Sequence, residues 1–115
     1  MTEKFKVIFL EEANEFINSL DSKSKEKIIY NIRKAQVIND NELLKKLSGE
    51  NWEFRTLYNK TYYRLLAFWD KTEKNPSVVV STHGFIKKTD KTPLAELEKA
   101  DKLRKEYYEQ KSKKK

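Results

Sequence analysis

Residues 62–69, Tyr-Tyr-Arg-Leu-Leu-Ala-Phe-Trp, constrain the fold more than any other stretch of the chain. Successive side chains of a strand point to opposite faces, so Tyr63, Leu65, Ala67 and Trp69 form one wholly apolar row. That row needs a cover of helices, which leaves Tyr62, Arg64, Leu66 and Phe68 on the other face. The same reasoning on residues 52–58 sends Trp52, Phe54 and Thr56 to the core and Glu53, Arg55 and Leu57 outward. Two arginines in the middle of neighbouring strands thus share an open face, where a core has no use for them.

The remaining elements follow from periodicity. Residues 5–9 alternate as a first strand, and Ala13, Phe16, Ile17 and Leu20 recur at helical spacing behind Glu11 and Glu12, acids that suit a helix N-terminus. Asp21 or Ser22 caps a second helix with the stripe Ile28, Ile29, Ile32 and Ala35, running to about Ile38. Leu43, Leu44 and Leu47 are expected to pack under the sheet edge before Ser48-Gly49-Glu50-Asn51 turns the chain into strand 52–58. Asn59-Lys60 joins that strand to 62–69 as a hairpin, although neither residue is the preferred Gly. A further strand spans 78–83, and Thr92-Pro93 reads as N-cap and first position of a last helix carrying Leu94, Leu97, Ala100, Leu103 and Tyr107. The expected architecture is α+β, in the order strand-helix-helix-strand-strand-strand-helix, with a mainly antiparallel four-stranded sheet and helices on one face.

The chain of 115 residues suits one domain over residues 1–110, followed by a flexible basic tail at 111–115. The absence of Cys excludes disulfides, zinc-thiolate sites and thiol nucleophiles, and a single His excludes a multi-histidine metal site. No apolar run approaches the roughly 20 residues of a membrane span, and no signal-like segment opens the chain. A soluble cytoplasmic protein that uses neither metal nor cofactor is expected. The formal net charge of +7 is uneven: residues 1–60 carry 11 Lys and Arg against 10 Asp and Glu, whereas residues 61–115 carry 14 against 8.

Much of that excess gathers where strand 78–83 ends. There Ser81-Thr82-His83-Gly84 leads into Phe85-Ile86-Lys87-Lys88-Thr89-Asp90-Lys91-Thr92-Pro93, with Gly84 expected to let the chain turn and Lys87, Lys88 and Lys91 expected in a cationic loop. If Val78 and Val80 face the core, Ser81 and His83 join Arg55 and Arg64 on the open face. Cations hold phosphates and aromatic rings stack on splayed bases, so open-face Tyr62 and Phe68 complete a surface suited to RNA. Each residue has a plainer competitor: Arg55 could pair with Glu53, the aromatics could cover a second small core, and a strand-end His could serve only hydrogen bonding.

The pattern Trp52-Glu53-Phe54-Arg55, Tyr63-Arg64-Leu65-Leu66, the run from His83 through Pro93, then Glu96, Ala100, Arg104 and Tyr107, resembles the HigB-like branch of the RelE/ParE toxin superfamily over nearly the whole chain. The resemblance implies a RelE-like fold and the toxin of a type II toxin-antitoxin pair. Such a toxin is an endoribonuclease (mRNA interferase) that acts on mRNA on the ribosome without metal and is neutralised by a helix-turn-helix, HigA-like antitoxin. On that basis Arg55, Arg64, Lys87, Lys88 and His83 are the catalytic candidates, and Tyr62, Phe68, Phe85 and Lys91 the RNA contacts. Two alternatives share the surface: a ParE-like inhibitor of DNA gyrase, and a nonenzymatic RNA- or ribosome-binding module.

Overall fold

The computed structural model describes residues 2–72, 74 and 76–113. In chain order the elements are β1 (Lys6–Phe9), α1 (Glu11–Asn18), α2 (Ser22–Val37), β2 (Leu44–Lys46), β3 (Trp52–Tyr58), β4 (Thr61–Trp69), β5 (Val78–Lys87) and α3 (Leu94–Lys113). The sheet has five strands in the order β1-β5-β4-β3-β2, with β1 parallel to β5 and every other pair antiparallel. The extra strand corrects the four-stranded expectation. Instead of lying under the edge, Leu44 and its neighbours form the edge by pairing with β3, while Leu43 alone is buried in the core. Among the described residues no helix is long and apolar enough to cross a membrane.

Asp21 caps α2, its carboxylate accepting from the Ser24 amide at 3.1 Å. The β3–β4 turn at Asn59 and Lys60 holds both residues at positive φ, 50° and 62°, the pair of left-handed conformations that a two-residue hairpin needs to follow the strand twist. Asn tolerates this cheaply; Lys60 does so at a cost of about 1 kcal/mol. The main core lies between the sheet and α1 and α2, where Ala13, Ile17, Ile28, Ile32 and Ala35 meet Phe54, Tyr63, Leu65, Ala67 and Val79.

The helices are not confined to one face. α3 crosses the opposite side, where Phe68 meets the rings of Tyr107 and Tyr108 at 5.4 and 5.6 Å. Its C-terminal end is stitched down by Asp70, which accepts from Tyr107 Oη at 2.6 Å and from Lys111 Nζ at 2.5 Å. Burial alone would raise the Asp70 carboxyl, but the bonds from Lys111, Tyr107 and Thr72 outweigh it and hold the group well below the usual carboxylate range. Of the tail expected to be flexible, 111–113 thus continue the helix, and Lys111 is anchored; residues 114 and 115 lie outside the described residues.

A bulge in β5 changes the expected facing. Leu66 pairs with His83 and Ala67 with Ser81, which leaves Thr82 as an extra residue. Before the bulge, Val79 is the core residue and Val80 sits opposite Phe68, beneath α3, so the expected phase of Val78 and Val80 is reversed and Ser81 faces the α1/α2 side. Beyond it the alternation is reset, and His83 lands on the arginine face after all. β5 also runs four residues farther than the expected 78–83, through Gly84 to Lys87. Gly84 is therefore not a turn. A Cβ there would lie within 2.8 Å of the Leu65 side chain and closer still to the Phe16 ring, so glycine is what allows α1 to approach the strand.

Candidate nucleic-acid interface

The face shared by β3, β4 and β5 is built from cross-strand rows. Leu57, Tyr62 and Lys87 form the first, Arg55, Arg64 and Phe85 the second, and Glu53, Leu66 and His83 the third. Directly opposed residues share a face, so the register alone brings both arginines, Tyr62 and Lys87 together. Thr89 and Asp90 from the loop after β5, with Lys88, close a cleft of about 410 Å³ around Arg55, Tyr62, Arg64 and Lys87.

Two like charges side by side on a sheet need a counter-charge, and Glu53 supplies it. Its carboxylate is almost wholly buried, with Oε1 3.6 Å from Arg64 Nε and Oε2 3.6 Å from Arg55 Nε. Oε1 also accepts the Thr92 hydroxyl at 3.1 Å. That bond replaces the N-cap expected of Thr92: α3 begins at Leu94, and the Pro93 carbonyl accepts from the amides of Glu96 and Leu97. At 3.6 Å the arginine contacts are ionic and not hydrogen bonds, and neither Nε has a hydrogen-bond partner. Arg64 spends one Nη1 proton on the Tyr63 carbonyl at 3.0 Å and lies 5.7 Å from the centroid of the Tyr62 ring. Arg55 is more open and approaches Glu42 at 3.9 Å.

The electrostatics are those of a crowded cationic site. Burial presses the Arg64 guanidinium below its ordinary range; Glu53 opposes this and Arg55 adds to it. Burial likewise lowers Lys87, with Glu53 pulling back and Arg64 and Arg55 pushing farther down. Lys87 sits at the end of β5 opposite Tyr62 and not in a loop, whereas Lys88 is exposed on the loop itself.

The other candidates are dispersed. Lys91 lines a neighbouring groove of about 260 Å³ with Lys45, Leu47, Glu53 and Thr92, and reaches the cleft only through their shared wall at Lys87 and Asp90. Tyr62 is 49% exposed and suited to stacking, but Phe68 is 1% exposed under α3 and offers no ring to a base. Phe85 is half-buried in the arginine row, its ring centroid 6.3 Å from that of His83. His83 faces the same side yet lies under α3, with Nε2 3.0 Å from Glu96 Oε1 and Nδ1 3.1 Å from Thr82 Oγ1. Burial, only partly offset by Glu96, lowers its pKa. Both ring nitrogens are engaged, so the imidazole helps fasten α3 to the sheet.

Sequence reasoning treated Glu53 as a bland partner for Arg55 and missed its place at the centre. The signal was available: a carboxylate on the same face as Arg55, two residues before it on an interior strand, can be buried only if paired. Residues 15–105 match the family of phage-derived Gp49-like proteins (DUF891). The chain belongs to that family. Gp49-like proteins are toxins of toxin-antitoxin systems. Among curated proteins none matches the chain. In this Gp49-like chain the motif residues on α3 are structural: Ala100 is buried against the sheet, Glu96 holds His83, Tyr107 holds Asp70, and Arg104 pairs with Asp101 at 3.1 Å.

Proposed function

We propose that the protein is the toxin of a type II toxin-antitoxin pair of HigB-like type and cleaves mRNA on the translating ribosome. The observation that carries this reading is the cross-strand pair Arg55–Arg64 beside Lys87 and exposed Tyr62 in one open cleft. The ribose 2′-OH attacks the adjacent phosphorus, a crowded dianionic phosphorane forms, and the bond to the 5′ oxygen breaks to leave a cyclic phosphate and a 5′-hydroxyl. The outer guanidinium edges of Arg55 and Arg64 bind the non-bridging oxygens, where charge builds up in the transition state. Lys87, more easily deprotonated than a free lysine, takes the 2′-OH proton in its neutral form and returns it to the departing 5′ oxygen. Lys88 neutralises a flanking phosphate, and Tyr62 stacks on the base beside the scissile bond. His83 has no direct part. A helix-turn-helix antitoxin neutralises the protein by placing acidic side chains over this basic cleft.

Primer extension on mRNAs after induction tests the reading: discrete new 5′ ends inside translated frames, together with translation arrest, are expected. Growth arrest with DNA damage and intact mRNA would replace it with inhibition of gyrase.

A further inference from the structure

A carboxylate buried beside a cleft meant for phosphate is a liability unless it has a task, since its charge opposes the binding of an anion. Glu53 is 2% exposed, yet it lies against both clamp arginines and the loop that carries the lysines. We propose that Glu53 is the positioning residue of the phosphate clamp: it lies along the Nε sides of Arg55 and Arg64 and, through Thr92, holds the loop after β5, so that the Nη protons not spent on the Tyr63 carbonyl face the phosphorane together. The assignment rests on the RNA-cleaving reading above.

The geometry supports this division of labour. Each carboxylate oxygen serves a different arginine, Oε2 for Arg55 and Oε1 for Arg64, so one group fixes the spacing of two guanidinium planes. A guanidinium gripped along its Nε side still presents Nη protons in a fixed fork toward an anion. Thr92 bonds to Oε1, which ties the backbone just beyond Lys88, Thr89 and Asp90 to the same carboxylate. Without Glu53 the two cations would repel each other at neighbouring register positions and splay apart, and the loop would lose its inner anchor.

Positioning and simple charge predict opposite patterns for Glu53→Gln, which keeps the shape but removes a negative charge from an anion site. Binding is read with an RNA carrying 2′-deoxyribose at the scissile position, and chemistry by single-turnover cleavage of the all-ribose RNA at saturation. The variant is expected to bind the deoxy-substituted RNA at least as tightly as the wild type. Cleavage at saturation should nevertheless be about 100-fold slower, the usual loss for reacting groups misplaced by roughly an ångström. Tighter binding with an unchanged saturated rate would overturn the proposal. Glu53→Asp provides a second arm should the Gln variant fail to fold: it keeps the charge but retracts it by one methylene, and it should also cleave slowly, whereas a wild-type rate would count against positioning. Nitrogen-15 NMR of the Arg55 and Arg64 Nε–H groups is independent of cleavage. Two Nε–H resonances whose chemical shifts move in both variants, as the neighbouring carboxylate is neutralised or retracted, are expected, and unchanged shifts would overturn the assignment. A wild-type protein that cleaves no RNA would refute the functional reading alone, leaving these resonances to decide the positioning.

Discussion

The two ends of one sheet face make an instructive contrast. At one end Tyr62 and Lys87 line an open cleft with Arg64, 4% exposed, at its floor; at the other, Leu66, Phe68 and His83 come from the same two strands and point to the same side, yet each is 2% exposed or less and, among the described residues, lines no cleft there. Alternation along the strand is identical in both regions. What differs is α3, which covers one end and stops short of the other. A face is a property of the strand, whereas a site is a property of what the neighbouring element leaves uncovered.

Phe68→Ala is the strongest way to break the contrast. It empties the space beneath Tyr107 and Tyr108 and should cost about 4 kcal/mol in denaturant unfolding. Protein still folded should bind RNA as before, because Phe68 is absent from the cleft. Arg64→Ala comes next: it strands the buried Glu53 carboxylate and should cost about 3 kcal/mol. Arg55→Ala, on the more open side of the same carboxylate, should cost less than about 1 kcal/mol yet slow single-turnover cleavage about 100-fold. Equal stability losses for the two arginine variants would erase the distinction between a buried and an exposed member of the clamp.

Three smaller tests address the covered end. Tyr107→Phe removes a bond to the buried Asp70 and should lower stability by about 1 kcal/mol without altering cleavage. His83, whose pKa is depressed in the folded state, binds fewer protons there than in the unfolded chain. It therefore adds stability that is fully present above its ordinary value near 6.5 and is lost as the pH falls through the folded value. Denaturant midpoints from pH 8 to pH 5 should fall more steeply for the wild type than for His83→Gln. The smallest effect belongs to Lys111→Ala, which should lower the melting midpoint slightly through the loss of its Asp70 bond. An unchanged midpoint would return Lys111 to the role of a solvated tail cation.

Several of these distinctions were legible in advance. The facing of β3 and β4 followed from Trp52, Phe54 and Thr56 against Glu53 and Arg55, and from Tyr63, Leu65 and Ala67 against Arg64. Local chemistry likewise placed the Asp21 cap and the Asn59-Lys60 turn. The fate of Phe68 was not legible, because a second apolar row can meet either a ligand or a helix, and the weakly patterned stripe of α3 did not show where it would dock. His83 reached the anticipated face only because the bulge at Thr82 compensated for an inverted phase in Val79 and Val80, and a bulge leaves no mark in a period of two.

The amino-acid sequence by itself determined which residues share a face, since a pleated strand allows only two, and it determined that cations would cluster near the end of β5. The tertiary structure decided which of those residues stay open, where α3 lies, and that the Glu53 carboxylate stands between the arginines. Burial of a charge depends on partners from other strands and on the loop after β5, so its place is set by register and docking and not by neighbours in the chain.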